Sequence, residues 1–240
     1  MKDNSNLIDL DKLSPSVKRN AIKSLIVLSK YLGKHKAFKA RLKSYGIKCP
    51  KSNGSFNSFL RILNASNSDI LEWLKEASKY LRDNEKLFLR FALVTGLRVS
   101  EALQSFNLII KLFKEDKLNE YYDEELEVLQ HFKYKDLFIR NTKNAFISFL
   151  PKSTIEEICS CEALTYFQIR KRLYRNQIRT RINELRDYFG TFMLGHGLLK
   201  QEVDLLQGRI PIDVFIRHYW SPNLKEMRDR TLKTIRLLEQ

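Results

Sequence analysis

At 240 residues the chain has room for one or two domains with ordinary hydrophobic cores and falls short of three. Its 43 Lys and Arg against 28 Asp and Glu leave a net charge of +15, which points to a polyanionic partner. No stretch reaches the roughly 18 uninterrupted apolar residues of a membrane span, Met1 to Ser5 shows no hydrophobic signal core, and Cys49, Cys159 and Cys161 fit neither a disulfide framework nor a zinc spacing, so a cytoplasmic protein with reduced thiols is expected.

The charge is unevenly placed. Residues 1 to 80 hold 16 basic and 6 acidic side chains, whereas residues 81 to 240 hold 27 and 22, so the first third is expected to be the electrostatic grip. From Ser14-Pro15, a helix start, Val17, Ile22, Ile26, Val27, Tyr31 and Leu32 fall on one helical face, with Lys18, Arg19, Lys23, Lys30 and Lys34 mostly off it. A second, very basic helix spans 35 to 45 and ends at Gly46 and Pro50, and a Ser/Asn-rich loop follows. Helices at about 56 to 64 and 68 to 82 are expected to complete an all-helical bundle whose basic faces follow a phosphate backbone.

A helix from about Asn84 breaks at Thr95-Gly96, and another begins at Arg98-Val99-Ser100-Glu101. The acidic stretch 114 to 128 reads as a helical surface connection. Leu137 to Arg140 and Ala145 to Leu150, around Asn141-Thr142-Lys143-Asn144, read as a β-hairpin closed by Pro151. Residues 163 to 194 are predominantly helical and begin very basic, stopping at Gly195-His196-Gly197. A helix at 198 to 207 stops at Gly208, a short one near 211 to 218 leads to Tyr219, and a tail from Pro222 repeats Leu224, Met227, Thr231, Ile235 and Leu238, fit to dock on a core or on a neighbouring subunit.

Thr95-Gly96-Leu97-Arg98-Val99-Ser100-Glu101-Ala102-Leu103 closely resembles the first arginine box of the tyrosine recombinases, TGLR-x-SE-x-L. Further boxes follow in order. Lys143 lies eight residues before Pro151, as the family's catalytic lysine precedes its hairpin proline; Asn183 to Leu194 resembles H-x-x-R-H-x-x-A-T-x-x-L, with Arg186 on the arginine; Leu205-Leu206-Gln207-Gly208-Arg209 resembles the LLGH segment; and Arg217-His218-Tyr219 comes ten residues later. Asn183 stands where the family has His or Lys and Arg209 where it has His or Trp, and the LLQGR-x-P segment followed by RHY is similar to the archaeal viral and plasmid integrases. Taken singly, each residue has an ordinary structural reading: Tyr219 is one of ten tyrosines, and Lys143 alone is a solvated turn lysine. The ordered set is what coincidence does not produce.

The resemblance implies a mainly α fold with a small antiparallel β-sheet, arranged as a two-domain DNA clamp. Residues 1 to 80 would form the helical core-binding domain and residues 81 to 240 the catalytic domain with its C-terminal tail helix. It implies Arg98 and Arg186, with Arg209 as a third donor, on the nonbridging phosphate oxygens, Tyr219 as the nucleophile that becomes a 3′-phosphotyrosyl ester, and Lys143 as the acid for the 5′-oxygen. Glu101 would orient this side of the site and His218 would be an accessory base; Asn183, being neutral, leaves the general base open. Lys18, Arg19, Lys23, Lys36, Lys39, Arg41, Lys43, Arg170, Lys171, Arg172, Arg179 and Arg181 are the candidate DNA contacts. No cofactor or metal is implied. The partners would be double-stranded attachment sites and a Holliday junction held by a homotetramer. A catalytically degenerate DNA-binding protein of the same fold and a type IB topoisomerase-like nicking and closing enzyme stay open as alternatives.

Overall fold

The computed structural model describes residues 9–50, 54–63, 67–140, 143–210 and 213–239, and the chain divides into two compact units, Met1–Ala65 and Ser66–Gln240. In the first unit a 3-10 turn, Asp9–Lys12, precedes α1 (Pro15–Tyr31), α2 (His35–Ser44) and α3 (Gly54–Leu63). Pro15 opens α1 because its missing N–H is one that a first turn leaves unpaired in any case. Leu10, Ile22, Leu42 and Ile47 form this unit's core, with Leu25, Ile26 and Phe38 packed beside them. The apolar face expected on α1 is therefore only partly used: Ile22 is buried, but Val17, Val27, Tyr31 and Leu32 are exposed, because α2 is short and covers little of it. The middle of the Ser/Asn-rich loop, residues 51–53, lies outside the described residues.

The second unit begins with α4 (Asn67–Ser78). This helix was expected to complete the N-terminal bundle; instead Ile70, Trp73 and Ala77 enter the core of the second unit, and the Trp73 indole N–H donates to the Arg179 carbonyl at 2.8 Å. Then come α5 (Asp83–Thr95) and α6 (Val99–Lys114), whose Phe88, Phe91 and Phe106 meet edge to face at 5.7 and 5.8 Å between ring centres.

The stretch 114 to 128 is not a helical connection. After a 3-10 turn at Leu118–Glu120 the chain forms β1 (Tyr122–Asp123) and β2 (Val128–Leu129), paired antiparallel with Tyr122 opposite Leu129. Buried Tyr121, Tyr122, Val128 and Leu129 anchor this hairpin, while Glu124 and Glu125 occupy its solvated turn, which is why the acidic composition read as surface. The partner of β2 is β3 (Ser148–Phe149), giving the antiparallel order β1-β2-β3. The fold is thus mainly helical with a small antiparallel sheet, as expected. The hairpin expected across 137–150 takes another form: Lys135–Phe138 is a helical turn (α7), and among the described residues the two arms pair at the bridge between Ile139 and Asn144, with the Ala145 N–H donating to the Phe138 carbonyl at 3.0 Å. Asn141 and Thr142 of its turn lie outside the described residues.

Next follow α8 (Lys152–Cys159), which the sequence reading did not anticipate, α9 (Tyr166–Arg175) and α10 (Ile182–Gly195). The stretch expected to be predominantly helical thus holds two helices, α9 and α10, and between them Gln177 adopts a left-handed backbone. Then come α11 (Lys200–Leu206), α12 (Val214–His218) and α13 (Leu224–Leu238). The tail docks on the core of its own unit: Met227, Thr231, Ile235 and Leu238 are buried. Among the described residues no helix is long and apolar enough to cross a membrane.

Candidate functional site

The site grows from the break between α5 and α6. Gly96 has φ +59°, and a Cβ there would stand 2.2 Å from the Phe189 ring of α10, so glycine is required twice over, by backbone and by space. The turn aims the Gly96 carbonyl at α10, where it accepts from Arg186 Nη1 at 2.8 Å. Two residues on, Arg98 is the N-cap of α6. The Glu101 carboxylate accepts from the Arg98 backbone N–H at 3.1 Å and from its Nη1 at 2.8 Å, so one buried acid fixes both the start of the helix and its guanidinium. Helix start and guanidinium together make this end of α6 attractive to an anion.

Arg186 is buried, and its second nitrogen, Nη2, donates to the Gln207 carbonyl at 2.6 Å; the Gln207 side-chain amide returns a bond to the Arg186 carbonyl at 2.9 Å. Burial, followed by the nearby charges of Arg98 and Arg209, pushes its pKa down to about 10, with Glu101 and Asp187 opposing. Three arginines therefore share one field, and Arg186 still carries its charge at neutral pH.

Arg209 enters this field through Gly208. Gly208 has φ +67°, and a Cβ on it would lie 1.7 Å from the Asn144 carbonyl oxygen. The Arg209 backbone N–H donates to the Asp204 carbonyl at 2.7 Å, and its Nη1 lies 3.6 Å from the Asp204 carboxylate. The same Asn144 carbonyl accepts from Arg98 Nη1 at 3.3 Å. Lys143 is exposed directly beside Asn144. The lysine turn, the first arginine box and the LLQGR segment thus converge on one backbone carbonyl.

Sequence reasoning missed Arg140, whose Nη2 donates to Glu101 Oε1 at 2.9 Å, the oxygen that also receives Arg98. It missed Asn144 as the meeting point and Gln207 as the clamp on Arg186. A signal existed for Gln207 and Gly208, since both stand inside the quoted LLQGR segment. None existed for Arg140, whose partner is 39 residues away.

Asn183 is exposed on the first turn of α10, lining a shallow cavity with Ser100, Gln104 and Tyr166. Tyr219 follows α12, is 72% exposed, and lies 6.2 Å from the Phe215 ring and 6.5 Å from that of His218, measured between centres. No hydrogen bond or ion pair between described residues joins Tyr219 to the arginines. In the first unit Lys23, Lys36, Lys39, Arg41 and Lys43 are exposed, and Lys18 and Arg19 half-buried. In the second, Arg170, Lys171 and Arg179 are exposed, with Lys171 Nζ 5.7 Å above the Phe167 ring centre. Arg172 and Arg181 are instead held in the fold. Arg172 lies 2.8 Å from buried Glu85; Arg181 lies 2.9 Å from Asp69 and 2.6 Å from Glu184, which hold its pKa above the usual arginine value.

A positively charged cluster of this kind, built on a helix start and floored by carbonyls, is suited to an oxyanion carrying several oxygens. The sequence matches the model of the family described as archaeal phage integrase over residues 62–234, more than half of the chain. No curated protein and no solved structure matches it.

Proposed function

This chain belongs to the archaeal phage integrase family, and from that we propose that it is a tyrosine-type site-specific DNA recombinase whose phosphate site is the cluster of Arg98, Arg186 and Arg209. The observation that carries the reading is the convergence of three arginines from three boxes: Arg98 on buried Glu101, Arg186 on the Gly96 and Gln207 carbonyls, and Arg209 beside Asp204. Buried Arg186 is held by neutral carbonyls while the charges of Arg98 and Arg209 bear on it, a field that favours an incoming anion.

In this reading the Tyr219 oxygen attacks phosphorus while the bond to the 5′-oxygen breaks. The phenol proton passes to solvent, which reaches the exposed side chain. Lys143 gives its proton to the leaving oxygen, and the arginines neutralise charge on the pentacoordinate phosphorus. The 3′-phosphotyrosyl ester keeps the bond energy for religation, so strand exchange through a Holliday junction needs no external energy source. The first unit supplies a second grip on the duplex, making a clamp, and a homotetramer on paired attachment sites brings the four strands together. Exposed Tyr219, at the end of α12, is presented to the phosphate when DNA is bound.

The test is a suicide DNA substrate nicked beside a candidate attachment site, incubated with chelator and without ATP. A covalent protein-DNA band with the wild type that disappears in Tyr219→Phe, with unchanged DNA binding, is the expected result. Binding without a band on any substrate would instead favour a DNA-binding protein that no longer cleaves. A band formed by a monomer that relaxes supercoils without exchanging strands would favour the topoisomerase-like alternative.

A further inference from the structure

We propose that Arg140 is a positioning residue for Lys143, holding the turn that carries this lysine against the phosphate site through Glu101. The inference rests on the reading of Lys143 as the acid for the 5′-oxygen.

Arg140 and Asn144 bracket the turn. They are tied to each other, since the Arg140 backbone N–H donates to Asn144 Oδ1 at 2.9 Å. Each is also tied to the first arginine box. From one side Arg140 Nη2 reaches Glu101 Oε1 at 2.9 Å; from the other the Asn144 carbonyl receives Arg98 Nη1 at 3.3 Å and abuts Gly208. Lys143 sits between these two anchors and is itself exposed. Among the described residues the arms of the hairpin pair at the bridge Ile139 to Asn144, with the Ala145 N–H donating to the Phe138 carbonyl at 3.0 Å, so backbone pairing holds the base of the turn and side chains hold its outer side. A flexible ammonium is useful as an acid only when its stem is delivered to within hydrogen-bond reach of the leaving oxygen.

Arg140 is suited to this task. Its side chain is 44% exposed, more than the 24% of Arg98, while Glu101 is completely buried. The buried carboxylate is therefore a fixed anchor, and Arg140 is the outer of two guanidiniums on one oxygen. Loss of Arg140 would leave Glu101 paired with Arg98, so the phosphate site stays assembled while the turn loses its outer tether.

The experiment compares an ordinary phosphodiester with one whose bridging 5′-oxygen is replaced by sulfur, because a thiolate leaves without needing a proton. Arg140→Gln is expected to cleave the oxygen substrate on the order of 10²-fold more slowly than wild type, as loss of a positioned acid would. On the sulfur substrate it should come within about tenfold of wild type. Lys143→Ala should show the same rescue; Arg98→Ala should stay slow on both, since the charge on phosphorus is unchanged by the leaving group. Arg140→Lys should recover part of the oxygen rate, and thermal melts should show Arg140→Gln folded. Equal slowing of Arg140→Gln on both substrates, or no slowing on either, would overturn the proposal while the wild-type covalent band still upheld the recombinase reading. Failure of the wild type to form a band on either substrate would overturn that reading and this inference with it.

Discussion

Gly208 shows how little freedom single residues have around the arginines. Its left-handed backbone alone would cost an L side chain about 1–2 kcal/mol. A methyl there would also need the space held by the Asn144 carbonyl, 1.7 Å away, and backbone cannot yield as a side-chain tip can. Since Asn144 also accepts from Arg98 and adjoins Lys143, the displacement would spread to three residues of the site. Gly208→Ala is expected to lower unfolding free energy by about 2–4 kcal/mol and to abolish covalent complex formation, measured by denaturant titration and by the suicide substrate. Full cleavage by this variant would mean that the lysine turn and the LLQGR segment need not touch. At this scale the sequence was informative wherever a residue carried its role in its neighbours: Gly96 before Arg98, and Gly208 before Arg209, were visible as breaks. Arg140 was invisible because its role lies in a contact across 39 residues with a carboxylate already assigned to Arg98.

Among the elements, α6 and the small sheet are joined by a buried chain of polar groups. Tyr121 donates to Ser105 of α6 at 2.9 Å; His131 Nδ1 lies 2.6 Å from the Tyr121 hydroxyl and its Nε2 2.9 Å from Ser148 of β3. Buried between two hydroxyls, each able to donate or accept, His131 satisfies both ring nitrogens in its neutral form, one donating and the other accepting. Burial pushes its pKa down to about 3. An unfolded chain takes up this proton near pH 6.5 and the folded chain does not, so the unfolded state binds more protons between pH 6.5 and 3 and stability falls as pH drops through that window. By pH 4.5 the loss from this group is about 3 kcal/mol. His131→Gln is expected to be less stable at pH 7 but to lose about 2–3 kcal/mol less than wild type between pH 7 and 4.5, measured by urea unfolding at each pH. Equal losses would place the acid sensitivity elsewhere. The sequence reading found no signal in His131, and it misread this sheet as well. Strands of two residues are too short to show an alternating period, so β1 and β2 are not legible within an acidic stretch that places Glu124, Glu125 and Glu127 between them. Long helices such as α1, α6 and α13, with several turns of periodicity and clear starts, were legible. What their patterns could not say was which partner an apolar face meets, and α4 was therefore assigned to the wrong bundle.

For the whole molecule the deciding quantity is where the net charge lies. Residues 1 to 65 carry 14 basic and 3 acidic side chains; residues 66 to 240 carry 29 and 25. In the second unit several cations are also locally neutralised, among them Arg90 by Glu157, Arg172 by Glu85, Arg181 by Asp69 and Glu184, and Arg230 by Glu202. In the proposed reading, long-range attraction to DNA therefore comes mainly from the first unit, and the arginine cluster of the second acts at contact. On α2, Lys36, Lys39 and Lys43 fall on one face at helical spacing and are all exposed. Each lysine placed on a phosphate adds about 0.9 to the slope of log binding constant against log salt. Changing all three to glutamine is thus expected to reduce that slope by about 2–3 and to weaken binding similarly for any duplex sequence, because phosphate contacts carry no base information. Tyr219→Phe should leave the slope unchanged. Mobility-shift titrations between 50 and 200 mM salt, on attachment-site and random duplexes, measure both quantities. A triple variant with the wild-type slope would move the long-range grip away from α2; one whose affinity falls only on the attachment site would make this helix a reader of sequence rather than a holder of backbone.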